Sequence, residues 1–372
     1  MGTVEIIATH TITHKSTTIF VQVVPVGKVT VPKLEIGATH TAALKTDGTV
    51  WTWGSNSYGQ LGTGDNINKT MPVKVMDIEN AIDISVGSYN TVVVKDDGTV
   101  WSFGYNGYGQ LGDGTSSSRN TPVQVIKQDG KPLEKIVKIS AGTNKTIALD
   151  ENGHVWVWGN TYKSTATKLS TVNNAIDISP SYVVTQTGKV YTLEGEKLEI
   201  DNILRVSEGT NHALFLTKEG TGYSIGANSN GQLGDGTTAS KNSPTVIKTE
   251  KSNLTDIKEL KAGAGSSMAI MKNGDTYTWG SNNNNKLGTT ATKNQIYPTK
   301  LENVNTSISG DIGTDNGGII DTQGFVYMWG LGTYGNLGNS LYNTSVEPVL
   351  VGAEEAGLDE YDIILHLSLI HI

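Results

Sequence analysis

The feature that most constrains this chain is a glycine turn that returns seven times. An x-Gly pair between apolar runs occurs at Asp47-Gly48, Asp97-Gly98, Asn152-Gly153, Thr187-Gly188, Glu219-Gly220, Asn273-Gly274 and Gln323-Gly324. The spacings are 50, 55, 35, 32, 54 and 50 residues. Such periods mark a repeat architecture, in which stacked units bury the faces that no single unit can bury alone. Other residues keep a fixed phase to the turn. Three residues on stands an aromatic ring (Trp51, Trp101, Trp156, Tyr191, Tyr223, Tyr277, Tyr327). Five residues on lie Trp53, Phe103, Trp158, Leu193, Ile225, Trp279 and Trp329. A Gly recurs six residues after the turn and eleven before it in every unit but the fourth. The run Asn-Ala-Ile-Asp-Ile-Ser at 80–85 and 174–179 points to duplication.

Positions six and four before the turn are mostly apolar, as in Val92 and Val94. The apolar residues alternate on both sides of the turn, the pattern of strands with one buried face joined as a hairpin. A further strand lies upstream, as in Ile82–Ser85 or Ile136–Ser140, and another follows a long loop, as in Pro72–Val75, Pro122–Ile126 or Pro348–Val351. With these named A to D, the expected fold is all-β: a seven-bladed β-propeller of four-stranded antiparallel blades over residues 31–351. The ring buries both faces of each blade and leaves few edges. The strand C rings then pack between blades. Units three and four are shortened and should leave a notch.

Residues 1–30 read as an extended segment, a closing strand or an upstream remnant, with strands at Ile19–Val24 and Lys28–Val31 at its end. Either terminus could seal the ring. Residues 352–372 form a tail in which Ile363-Ile364 resembles the start of an eighth strand A. The ending Leu365–Ile372 resembles translated read-through of a sequencing adapter. That reading, preferred over an apolar closing strand, implies a truncated metagenomic product whose natural chain continues.

Net charge is −8, against nucleic-acid binding, which needs a basic face. The absence of Cys excludes disulfides, thiolate metal sites and a Cys nucleophile. No apolar run is long enough for a membrane span, and Met1–His14 has no signal-peptide pattern. His10 and His14 have helical ligand spacing, but the Thr and Ile around them indicate an extended segment. Gly112-Asp113-Gly114-Thr115 and Gly234-Asp235-Gly236-Thr237 lack the carboxylate ladder of a calcium loop and read as Asp/Gly turns. His40 and His212 share a repeat position with Asn90, Lys145, Ser266 and Asn316, which reads as a loop position that caps backbone groups. No catalytic constellation, cofactor site or metal site is expected.

The unit reads G-x-x-H-T-x-A-L-x-x-D-G-x-V-W-x-W-G-x-N-x-x-G-Q-L-G. Unit one shows it as Gly37 to Leu44, Asp47-Gly48, Val50 to Gly54 and Gly59-Gln60-Leu61-Gly62. The last piece recurs at Gly109–Gly112 and Gly231–Gly234, and more weakly at Asn285–Gly288 and Gly335–Gly338. This repeat resembles that of the regulator of chromosome condensation family. Kelch and WD-type propellers fit less well, because no Gly-Gly pair or Trp-Asp end recurs in phase. The resemblance implies a seven-bladed propeller that acts by binding proteins. Bacterial members of the superfamily, including a secreted β-lactamase inhibitor propeller, bind partners through one loop face; the eukaryotic founder is an exchange factor for the small GTPase Ran.

Strand alternation puts the A–B and C–D loops on one face of the disc. There the sequence sets Tyr58, Tyr89, Tyr105, Tyr108, Tyr162 and Tyr334 among Asn, Ser and Gly. This mix offers contact area at low entropic cost. With His40 and His212, these are the candidate partner-binding residues; the alternative is that Tyr58 and its equivalents pack the loop base. The expectation is a non-enzymatic, monomeric protein-binding module, bacterial and secreted or surface-bound, without cofactor, nucleic acid or membrane insertion. The alternatives are an exchange factor for a Ran-like GTPase, a cytoplasmic setting, and a scaffold within a larger surface protein.

Overall fold

The structure is a computed structural model that describes residues 2–9, 16–23 and 30–352. Gly2–Thr9 and Ser16–Val23 pair antiparallel as a separate two-stranded sheet. Of the expected strand Lys28–Val31, only Thr30 and Val31 are described, and neither is in a strand. The His10 and His14 pair and the tail from residue 353 on lie outside the described residues.

Seven antiparallel sheets follow, each built from consecutive strands. Blade 1 comprises Lys33–Ile36, His40–Leu44, Val50–Gly54 and Lys69–Lys74; blade 2 comprises Ala81–Val86, Asn90–Lys95, Val100–Gly104 and Arg119–Gln124. Blades 5, 6 and 7 repeat this plan, from Ile203–Glu208 to Ser345–Leu350. Blade 3 keeps only Thr167–Lys168 as strand D, and blade 4 has three strands, Ala175–Ile178, Tyr182–Thr185 and Val190–Thr192. The chain is therefore a seven-bladed β-propeller with two thin adjacent blades.

The repeat's glycine turn is the B–C hairpin. In blade 1, Lys45 N donates to Thr49 O at 2.9 Å and Asp47 Oδ1 accepts from Thr49 N at 2.9 Å. Gly48 has φ 77°, which Gly adopts without the Cβ clash that other residues meet. The Gly eleven residues earlier serves blade approach. A Cβ on Gly37 would lie 2.5 Å from Gly87 O, and one on Gly313 would lie 2.6 Å from Gly37 O.

Strand D begins earlier than the sequence suggested. The sequence reading starts it at the proline, as in Pro72–Val75. Instead Pro72 lies inside Lys69–Lys74, where the register shifts between Gly54↔Lys69 and Thr52↔Val73. The bulge takes proline out of the ladder.

The consensus loop after strand C joins blades. Trp158 and Trp279 are fully buried, and their indole nitrogens donate to Gln110 O at 2.8 Å and Gln232 O at 2.9 Å in the preceding blade. Leu61, Leu111 and Leu233 are buried, and their carbonyls accept from strand C hydroxyls, as Thr52 Oγ1 to Leu61 O at 2.7 Å. The final Gly of the loop lies against the next blade's ring: a Cβ on Gly234 would sit 2.7 Å from Trp279 Nε1.

The ring closes without an exchanged strand, so neither terminus is needed as a seal. Blade 7 meets blade 1 through Trp53 Nε1 to Asn336 O at 3.1 Å and Ile36 N to Asp311 Oδ2 at 2.7 Å. Leu34, Ile36 and Trp53 pack with Ile320, Met328 and Leu337 in one buried cluster across that seam.

Candidate functional site: the loop face and the central channel

Four of the six tyrosines come together. Tyr58, on the C–D loop of blade 1, stacks edge-on against Tyr89 of the blade 2 A–B loop at 5.5 Å between ring centroids. It also meets Tyr105 of the blade 2 C–D loop at 4.9 Å, and Tyr105 meets Tyr108 at 6.3 Å. Tyr58 is 42% exposed and Tyr108 51%. Buried glutamines fix the loops beneath them: Tyr58 N donates to Gln60 Oε1 at 2.9 Å, and Tyr108 N to Gln110 Oε1 at 3.0 Å. The result is a contiguous aromatic patch on a fixed base. The supporting loops carry two carboxylates, Asp65 and Asp113, each paired at the start of strand D, with Lys69 and Arg119 at 2.8 Å. The hairpins of the opposite face hold many charges, including Lys45, Asp47, Lys95, Asp96 and Asp97.

The other candidates part from this patch. Tyr334 is exposed on blade 7 but makes no ring contact with the four. Tyr162 is half-buried and packs against the blade 3–4 core, where burial and the nearby Glu194 raise its hydroxyl pKa. His40 and His212 are buried, at 1% and 4% exposure, and cannot meet a partner at this face. Their slot is not a loop position: it is the first residue of strand B, covered by the next blade. His40 Nε2 lies 2.9 Å from Thr91 Oγ1, which donates on to Gln60 O; His212 Nε2 lies 2.8 Å from Ser267 Oγ, which donates to Gln232 O. Burial lowers the His40 pKa to about 3; burial and the Lys286 charge lower that of His212 to about 4. The two Asp/Gly loops are turns: Asp113 Oδ1 and Asp235 Oδ1 each accept from a Thr backbone N–H at 3.0 Å.

A central channel of about 1200 Å³, lined by strand A of all seven blades, was not singled out from the sequence. One tier around it reads Lys33, Asp83, Lys138, Asp177, Arg205, Glu259 and Ser309, an alternation of charge. An odd ring cannot alternate fully, and Ser309 takes the remaining place. Neighbours pair across blades: Lys33 with Asp83 at 2.8 Å, Lys138 with Asp177, and Arg205 with Asp177 at 3.8 Å. Carboxylates also cap the edge N–H groups of the following blade, Asp83 that of Ile139 at 2.9 Å and Asp177 that of Val206 at 2.7 Å. The signal lies four residues before the recurring Gly in six of the blades, away from the turn that marks the repeat. Among the described residues, no group of three or more His, Cys, Asp or Glu could hold a metal.

The fold and this face define a propeller with a tyrosine-bearing loop surface over blades 1 and 2. The model of the RCC1-like domain matches residues 7–363, and the chain belongs to that family. It is 32% identical over 319 residues to the probable E3 ubiquitin-protein ligase HERC4 of Rattus norvegicus, covering 85% of this chain and 28% of that protein. It is 32% identical over 238 residues to the human E3 ubiquitin-protein ligase HERC2, covering 63% of this chain and 4% of that one. The chain thus corresponds to a small part of these relatives. Among solved structures it resembles yeast RCC1 (Prp20) bound to Kap60, with TM-score 0.53, 21% identity, and 86% of this chain and 74% of that one covered. Human WBSCR16 is similar at TM-score 0.52 and 18% identity, with 90% and 84% covered. At these identities the structures speak for the fold alone.

Proposed function

We propose that this propeller is a non-enzymatic protein-binding module that contacts its partner through the loop face over blades 1 and 2. The patch Tyr89–Tyr58–Tyr105–Tyr108 carries this reading. Exposed aromatic rings on fixed loops give large contact area with little entropy to lose, and such residues dominate binding energy at interfaces. A solvated, charged face opposite supports the choice of side. We place the module at the bacterial cell surface or outside the cell, as a monomer. The absence of Cys and the Ser, Thr and Asn content agree with that setting.

The test is affinity capture from the source community with the wild-type chain and with Tyr58→Ala/Tyr89→Ala/Tyr108→Ala. A partner held by the first and lost by the second supports the patch; equal capture rejects it. Accelerated nucleotide release from Ran would instead favour the exchange-factor reading. Sedimentation and fractionation of the source cells check the monomer and the setting.

A further inference from the structure

The strongest unassigned feature is the notch where the thin blades meet. Strands A and B of blade 4 are four residues each, against six each in blade 2. Blade 3 replaces the long C–D loop by a tight turn, with Tyr162 N donating to Gly159 O at 2.9 Å and Asn160 at φ 51°. The first residue of strand B is then less covered than in the fuller blades. In blades 1, 2, 5, 6 and 7 that slot holds buried His40, Asn90, His212, Ser266 and Asn316. In blade 3 it holds Lys145, half-buried and lining the central cavity. Asn144, Asn160 and Ser181 line the same opening. Among the described residues, the side chains of these three and of Lys145 have no hydrogen-bond or ion-pair partner. Of the acids lining this part of the cavity, Asp177 is paired with Lys138 and Arg205, and Glu208 is engaged by Ser181 N at 2.6 Å and Ser179 Oγ at 2.8 Å.

We propose that this notch is an anion subsite that takes a carboxylate of the bound partner. One ammonium and three neutral side chains able to donate line this side of the cavity without partners of their own, the set that a carboxylate satisfies. The subsite adjoins the tyrosine patch, since Asn160 N donates to Tyr108 O at 2.9 Å. A segment lying over Tyr108 can therefore carry an acidic side chain into the notch. Glu208 sets the preference: a singly charged carboxylate meets less repulsion from it than a doubly charged phosphate. This inference rests on the binding reading for its partner, but the subsite can be tested without one.

The experiment titrates the full chain with acetate and, separately, with inorganic phosphate, following backbone amide shifts of residues 143–145, 160 and 181 by NMR. Saturable shifts with acetate in the millimolar range, at least about fivefold weaker with Lys145→Gln and weaker with phosphate, support the proposal. Linear shifts, shifts unchanged in Lys145→Gln, or tighter phosphate binding overturn it. The Tyr58/Tyr89/Tyr108 variant should bind acetate like wild type, so loss of the patch and loss of the subsite are read separately.

Discussion

The indole nitrogen of Trp279 lies 2.9 Å from the backbone carbonyl of Gln232, one blade earlier in the ring. The same carbonyl accepts from Ser267 Oγ at 2.8 Å. Blade 2 shows what happens without the indole: Phe103 fills the ring position, and Gln60 O accepts from Thr91 Oγ1 at 2.9 Å. Trp279→Phe should therefore cost about 1 kcal/mol, the net worth of one hydrogen bond. Trp279→Ala should cost about 3–5 kcal/mol through the cavity it leaves. Urea unfolding midpoints check both, and equal losses would mean that the hydrogen bond, not packing, dominates.

The inner glycines predict a steric effect. A Cβ on Gly209 would lie 2.0 Å from Gly263 O, so Gly209→Ala must push two blades apart. Overpacking of this kind costs about 1–3 kcal/mol. Gly130, at φ 78° with nothing within 4 Å of its Cβ position, is the control. Gly130→Asn keeps a residue that tolerates this conformation and should cost less than Gly209→Ala in the same unfolding measurement.

Much of this fold was legible because the repeat reports packing directly. Gly48, Trp279 and the Gly-Gln-Leu-Gly loop recur because each meets the same kind of neighbour in an adjoining blade. What was missed lacks that redundancy. His40 and His212 looked like loop residues because Asn90, Lys145 and Ser266 share their slot, which does not ask for one side-chain partner: Asn90 and Ser266 are buried there without one. The alternation from Lys33 to Ser309 connects residues far apart in sequence, and becomes visible only once the seven strands A surround one channel. Within the candidate face, chain order placed the tyrosines on one side but not which of them touch. Tyr162 stands apart because its loop is short, and Tyr334 because blade 1 offers Thr39 and Ser55 where blade 2 offers Tyr89 and Tyr105.

The buried histidines should make the protein acid-sensitive. His40 and His212 have folded pKa values of about 3 and about 4, below the ordinary 6.5, chiefly because burial disfavours their charge. The unfolded chain binds their protons first as pH falls. Their stabilising contribution is present above pH 6.5 and is lost as pH falls through the window to the folded values. His40→Asn, which places the blade 2 residue in the slot, should flatten the slope of stability against pH below 6.5. Urea unfolding at a series of pH values reads the slope; an unchanged slope in that variant would assign it elsewhere.

Asp311 works in the opposite direction. Burial raises its carboxyl to about 6, with Lys261 lowering it and Glu35 opposing that. The folded state thus holds this proton more tightly than the unfolded chain, so the term is stabilising at low pH and is lost as pH rises from 3.8 through about 6. Asp311→Asn keeps an acceptor for Ile36 N at the seam between blades 7 and 1 and removes the charge. It should raise stability at pH 7 relative to wild type and leave it little changed at pH 4. Destabilisation at pH 7 would show that the charge itself holds the seam together through Lys261.

The outer rim carries the last prediction. Pro72, Pro122, Pro244, Pro298 and Pro348 each stand fourth in a strand D. Strand D is the edge of its blade, and an edge with a full row of free N–H and C=O groups invites pairing with another chain. A proline there removes a donor and holds the bulge, as Gly104↔Arg119 and Ser102↔Val123 show for blade 2. Blades 3 and 4 lack the proline and have a two-residue strand D and none, so they offer little edge to guard. Replacing Pro72, Pro122 and Pro298 together with Thr should restore three donors at little cost to folding. The variant should then self-associate with rising concentration in sedimentation velocity more than the wild type does. Identical sedimentation of the two would place the protection in the bulge and its twist, independent of the missing donor.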